Sequence, residues 1–349
     1  MSLRDNNKSP NSVVKDASSE SFGLRGYETK PTFGQKFKRH CARFWWAHVI
    51  LICLVSMVIT LIVVYVAYPK MAQHDVNKAT LEFRDGSFTN PTSDSIRITQ
   101  NATLHNPSTF RPTLDAFPAE LYLVTNGTYG SAPMLTLPMP HIHARKYTNT
   151  SVDSVAQITN LDQVSAYAVT VMTSEYVETA LIQGLVTPTP MSGQRLTHIL
   201  ALNSLKGFNT TDLLINATAT AGTPNLRGNA QIPNPSLMTI VLGNVTLDLS
   251  TEAKGVVGNA TIENFILRPG ANTMPMSAII DQPKVLASLN KAGKVNMTIT
   301  GKSAVYDGQH LSYYEKALAS NVLVLEMNVQ QILADSIAAA RKAANATST

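Results

Sequence analysis

Two cysteines, Cys41 and Cys53, are all that the 349 residues contain. Neither falls in residues 69–349, so no disulfide can brace that stretch, and whatever folds there must be held by burial of apolar side chains. Charge is sparse too: 15% of residues are Asp, Glu, Lys or Arg, where soluble domains average about 25%. Signatures of chemistry are missing as well. The Asp residues beyond position 68 are never two apart, so the Asp-x-Asp pair that holds a metal and a sugar nucleotide does not occur. Gly-x-Ser-x-Gly, His-Glu-x-x-His and a glycine-rich phosphate loop are equally absent. Only a metal-free type II membrane enzyme of glycan processing survives as a catalytic alternative, and without a paired acid and base the expectation is a protein that is not an enzyme and takes no cofactor. His141-Ile-His143 would put two rings on one side of a strand. It stands in a proline-rich stretch with no carboxylate or Cys beside it in sequence, so no metal is expected there either.

What the chain does have is an unbroken apolar run from Phe44 to Tyr68, interrupted only by His48 and preceded by the basic stretch Lys36 to Arg43. As a helix it reaches roughly 37 Å, enough for a bilayer core of about 30 Å. Some 43 residues precede the run, unlike a cleaved signal peptide, so the expectation is a transmembrane anchor over 44–68. Residues 1–43 hold nine Lys or Arg against four Asp or Glu, while 69–349 hold nineteen of each, so the formal charge of +5 belongs to the short tail. By the positive-inside rule the tail, polar and expected to be disordered, is cytosolic, and the remainder is lumenal or extracellular. The basic cluster abuts the membrane, where anionic lipid is its natural partner, and nucleic acid is not expected. Cys41, beside that cluster, is the candidate for palmitoylation.

Sequons agree with this orientation. Asn-x-Ser/Thr occurs at Asn101, Asn126, Asn149, Asn209, Asn216, Asn244, Asn259, Asn296 and Asn345, and before the run only at Asn7. Each of the nine is a candidate glycosylation site.

Beyond the run the dominant period is two. Ile96, Ile98, Ala102 and Leu104 alternate with Arg97, Thr99, Asn101 and Thr103. Similar patterns follow in 215–220, 244–249 and 295–300, which implies antiparallel sheet with one wet face. An internal repeat organises these strands: Asn101-Ala-Thr-Leu-His-Asn-Pro-Ser108 returns as Asn229-Ala-Gln-Ile-Pro-Asn-Pro-Ser236. Asn106, Pro107, Asn234 and Pro235 read as structural turns, because Pro stops a ladder and Asn caps the turn. Each copy then continues to a short helical candidate, Gln194 to Lys206 and Leu311 to Ser320, and to a last strand, Thr211 to Ala221 and Asn321 to Val329. Ser312-Tyr-Tyr-Glu315 has capping-box spacing. Gln330 to Ala344 reads as an amphipathic helix that docks on the second copy.

The Asn-Ala strand with its Asn-Pro-Ser turn, and the run Gly258-Asn-Ala-Thr-Ile-Glu-Asn-Phe-Ile-Leu-Arg-Pro-Gly-Ala-Asn272, resemble a fungal domain of unknown function related to the second group of late-embryogenesis-abundant (LEA-like) proteins. The resemblance centres on 227–329. It implies a fibronectin-like β-sandwich with one or two helices, no catalysis, and a vacuolar or plasma-membrane setting.

The fold expected is therefore mainly β: two tandem LEA-like, fibronectin-like β-sandwich repeats with short helices, after one N-terminal transmembrane helix. The boundaries expected are a tail over 1–43, the anchor over 44–68, a juxtamembrane lead-in over 69–94, repeats over 95–222 and 223–330, and a C-terminal helix and tail over 331–349. The partners expected are the lipid bilayer and a lipid or protein ligand on the lumenal side.

Overall fold

The computed structural model describes residues 45–68, 70–71, 80–107, 111, 113–143, 145–183, 194–220 and 222–347. The cytosolic-tail reading, with Asn7 and Cys41, lies outside the described residues. Met1–Pro69 and Lys70–Thr349 form two separate compact units. In the first, helix α1 (Trp45–Ile62) runs on into a π-helical stretch, Val63–Ala67. The span Trp45–Ala67 has 23 residues and a window of mean hydropathy 3.1, so it is long and apolar enough to cross a membrane.

The second unit is built on a curled sheet. Its first ten strands are β1 (Thr80–Thr89), β2 (Ser95–His105), β3 (Thr113–Leu114), β4 (Phe117–Thr125), β5 (Thr128–Tyr129), β6 (Leu135–Met139), β7 (Ile142–His143), β8 (Tyr147–Ile158), β9 (Tyr176–Gln183) and β10 (Gln194–Leu200). The remaining eight are β11 (Asn209–Ile215), β12 (Leu226–Asn234), β13 (Met238–Thr251), β14 (Gly255–Leu267), β15 (Gly270–Ile280), β16 (Lys294–Tyr306), β17 (Gln309–His310) and β18 (Val322–Asn328). Among the described residues the unit also holds helices α2 (Leu161–Thr173), α3 (Gln282–Leu286), α4 (Ser312–Ser320) and α5 (Val329–Thr347).

In the first half of the unit the strands pair in the order β1-β2-β8-β6-β4-β9-β10. In the second half β11-β12-β15-β14-β13-β16 pair in the same succession, with β17 and β18 both on β16. The strands form because the alternating residues find a common interior: Ile96, Ile98, Ala102 and Leu104 are buried from β2, and Val295, Met297 and Ile299 from β16. Antiparallel pairing with one buried face is the consequence.

The two halves share an apolar core. β1 joins β13 in parallel over Gly86–Phe88 and Met238–Ile240. One apolar cluster then combines Ile96, Val152 and Val164 with Ile240, Phe265 and Leu318. Helices α2 and α4 pack together, and the Tyr313 hydroxyl donates to the Thr92 carbonyl at 3.0 Å. A second cluster, including Leu249, Val285, Val295 and Ile332, belongs to the second half alone.

Two strands fall as follows against the expected stretches. β1 lies inside the stretch read as a lead-in, and β11, read as the end of the first repeat, pairs with β12. Three local elements differ from the sequence reading. Gln194 to Leu200 is a strand on β9 rather than a helix, leaving only a single 3-10 turn at Asn203–Leu205, because an open sheet edge outweighs helix propensity. β11 ends at Ile215, where Asn216 Oδ1 accepts from the Thr218 amide at 3.1 Å and turns the chain. Helix α4 begins at Ser312, but no side chain caps it. The Glu315 carboxylate is drawn instead to the Ala304 amide at 3.2 Å and stands 2.7 Å from His310 Nδ1, so the capping box does not form.

Candidate functional site

Between the sheet strands of the first half lies a space of about 140 Å³ with an almost wholly apolar wall. Phe83 and Phe88 enter it from β1, Ile98 and Leu104 from β2, and Leu121 from β4, while Tyr167 of α2 closes one side. Its polar members are Gln100, Thr150 and Thr179. Phe117, Met139 and Ile142 on its wall are half-buried, which puts the approach beside the small β3–β7 ribbon. An apolar cavity of this size is comparable with the roughly 150 Å³ engineered void that stays dry and accepts benzene. A second apolar space, about 50 Å³, lies under Tyr313, Tyr314 and Tyr167. Burial drives all three tyrosine hydroxyls well above their ordinary range, so they stay protonated and can only donate or accept hydrogen bonds.

The nine sequon asparagines lie at or near the surface of the second unit. Asn126, Asn149, Asn209, Asn216, Asn244, Asn296 and Asn345 are exposed, and Asn101 and Asn259 are half-buried. Asn126 occupies a turn with φ +50°. Three use their carbonyl oxygens locally: Asn149 accepts from Thr103 Oγ1 at 3.1 Å, Asn216 from Thr218 Oγ1 at 2.9 Å, and Asn244 from the Asn264 amide at 2.9 Å.

Asn234-Pro235-Ser236 turns the chain at the end of β12, while Asn106 and Pro107 follow β2 and Ser108 lies outside the described residues. Asn234 is buried, donates to the Met238 carbonyl at 2.8 Å and accepts from the Ser236 amide at 2.9 Å, with Pro235 exposed beside it. Asn106 is likewise buried; its amide donates to the Lys146 carbonyl at 3.0 Å, and Pro107 is exposed. The Asn234 side chain is thus occupied by the fold. In the resemblance segment, Asn272 accepts from the Arg268 amide at 2.9 Å and donates to carbonyls of Ile232 and Arg268 at 3.2 and 2.7 Å. It thereby ties the β14–β15 turn to β12.

His141 and His143 face different neighbours. His141 Nε2 is 3.9 Å from Asp115 Oδ1, and His143 Nδ1 is 2.8 Å from Thr113 Oγ1. Among the described residues no group of three or more His, Cys, Asp or Glu comes together to hold a metal. Cys53 is an exposed free thiol on α1.

Sequence reasoning missed the cavity wall, because Phe83, Phe117 and Tyr167 are separated along the chain and converge only when β1, β4 and α2 pack. It also missed a repeated contact between bulged strands. Asn101 Nδ2 donates to Asp85 at 2.8 Å, and Asn229 Nδ2 donates to Asp212 at 3.0 Å. The two Asp residues are 127 apart, one short of the 128-residue repeat, so carrying that spacing upstream of position 95 does not align them.

The model of a protein family of unknown function, DUF3712, matches residues 132–249. That is about one third of the chain, from just before β6 to the end of β13, and it leaves the Gly258–Asn272 resemblance segment outside the matched residues. No curated protein matches the chain. Among solved structures, a biofilm-associated protein, BSP domain, is similar at 9% identity and a TM-score of 0.17 over 73% of this chain and 53% of that one. The chain thus spans about half the length of that structure, and similarity at this level carries no argument about fold or role.

Proposed function

We propose that the chain is a non-catalytic, single-pass membrane protein whose residues 70–349 form a glycosylated lumenal or extracellular β module that shelters an apolar chain of a lipid beside the bilayer. The observation that carries this reading is the apolar space of about 140 Å³ between β1-β2-β8 and β4-β9. Ligand sites are concave and mostly apolar, with a few polar groups to orient the occupant, and Gln100, Thr150 and Thr179 supply that minority here. The volume suits the end of an acyl chain rather than a whole lipid.

The charge balance supports a cytosolic N-terminus, and the sequon asparagines at the surface support glycosylation of the other side. The matching pairing orders and the two Asn-Asp contacts support a duplicated module, and the Asn-Pro-Ser turns support kinship with the LEA-like group. A run of about 25 apolar residues suits the thicker membranes of the late secretory route, the vacuole or plasma membrane.

The test is binding of a fluorescent polyene fatty acid to residues 70–349, which form one compact unit. Wild type should bind with enhanced emission, and Ala102→Leu, which adds volume to a buried position on the cavity wall, should weaken binding at least tenfold while thermal unfolding stays cooperative. Absence of wild-type binding, or equal binding by the variant, would sink the lipid reading.

A further inference from the structure

The second half of the sheet leaves a gap that its counterpart fills. In the first half β1 has neighbours on both edges, β2 and the parallel β13. Its counterpart β11 pairs as a strand only with β12, with the Ile215 amide at its end donating to Ser336 Oγ of α5 at 2.8 Å, and at the far end of the same half β18 pairs only with β16, among the described residues. Between these two edges opens a groove of about 460 Å³, walled by the consecutive residues 209–214, by 326–328, and by one face of α5. The regular residues 209–211 line the groove from the strand edge, since alternate side chains point to opposite faces, and the bulge at Asp212 and Leu213 turns the next two residues into it. At about 3.3 Å rise, 4.8 Å strand spacing and 10 Å sheet thickness, each inserted residue needs roughly 160 Å³, so the groove accommodates about three residues of an extended segment.

The groove's chemistry narrows the occupant. Leu213 and Ile332 are buried on its inner side with half-buried Met327, while Asp212, Glu326 and Asp335 stand exposed toward solvent. No Lys, Arg or His lines it. Lys294, on β16, pairs with Glu326 at 2.7 Å. Asp212 and Asp335 meet only the neutral amides of Asn229 and Gln331, at 3.0 and 2.9 Å, in the described hydrogen bonds. Two negative charges are left without a cation, above an apolar floor. We infer that this groove docks an extended segment of a partner protein that alternates apolar and basic residues, added as a strand to the free edge of β11. Main-chain hydrogen bonds would supply affinity, and alternate side chains would supply selectivity. This site is separate from the proposed lipid cavity, and its test is independent of that reading.

The probe is a capped nonapeptide of alternating Lys and Val, titrated into residues 70–349 at low salt and followed by anisotropy and hydrogen exchange. Binding should slow exchange of the β11 amides, and it should fall at least tenfold for Asp212→Asn with Asp335→Asn. A peptide of the same length with Glu in place of Lys, and one with Pro at the central position, should each bind at least tenfold more weakly. Asn accepts the left-handed backbone of position 212, φ +54°, so the double variant keeps its fold. No binding, binding indifferent to the double variant or to the Pro peptide, or protection confined to residues outside β11 and β18 would overturn the inference.

Discussion

Asn229 reaches across a bulge in β11 and donates to Asp212 at 3.0 Å, and 128 positions earlier Asn101 does the same to Asp85 on the bulged β1. A bulge leaves a residue outside the ladder: in β11 the bond ties the unpaired Asp212 to β12, and in β1 it ties Asp85, paired with Asn101 and next to the unpaired Arg84, to β2. We predict that Asn229→Ala and Asn101→Ala each lower stability by about 1 kcal/mol, the usual net value of such a bond. Chemical denaturation of residues 70–349 would check this; a loss at only one site would show that the two contacts do unequal work.

Tyr313 is fully buried, and its hydroxyl bonds the Thr92 carbonyl in the first half of the unit. Tyr313→Phe should cost roughly 1–2 kcal/mol because the carbonyl is left without its donor. Because the core is shared between the halves, unfolding should remain a single transition in wild type. Two separated transitions by fluorescence and circular dichroism would contradict a common core.

At Gly301 a Cβ would stand 2.2 Å from the Leu318 Cβ and 2.7 Å from its backbone carbon. Helix α4 therefore lies directly on β16 and no side chain fits between them. Gly301→Ala should destabilise by about 1–3 kcal/mol through overpacking. Gly308→Ala, which meets nothing within 4 Å but has φ +78°, should cost less, about 1 kcal/mol of backbone strain.

The pH dependence has two ends. Hydrogen bonding from Arg97 holds the Asp153 carboxyl below its ordinary range, and the Lys284 amide does the same for Asp281. A depressed folded value means stability that is complete above the unfolded value, near 3.9, and lost as pH falls through the folded one. These carboxylates therefore cost nothing in a compartment near pH 5. The buried tyrosines act in the opposite direction: their raised values give stability that is present below about pH 10 and lost as pH rises above it. Tyrosinate absorbance from Tyr167, Tyr313 and Tyr314 should emerge only together with loss of circular dichroism. Their ionisation in a still-folded protein would contradict the burial.

Much of this was legible in the sequence where chemistry is local. The apolar run 44–68 holds α1 and the π-helical stretch after it, the alternation of 96–104 became the buried face of β2, and the helix expected over 311–320 became α4. The Asn-Pro-Ser turn at 234 also followed, because its bonds reach no more than four residues. Pairing between distant segments was not legible. Nothing around Gln194 announces that β9 offers it an edge, and nothing around residue 86 announces a parallel partner at 238. The cavity and the groove are made by such pairings, so neither was visible along the chain.

The most direct measurement is native mass spectrometry, with lipid extraction, on residues 70–349 secreted from a eukaryotic host. The account predicts glycan mass removable by a peptide N-glycosidase, highest in occupancy at exposed sites such as Asn126, Asn244 and Asn296, together with one co-purifying lipid per chain. A protein that leaves the host glycosylated but empty, and stays empty when offered membrane lipids, would contradict it.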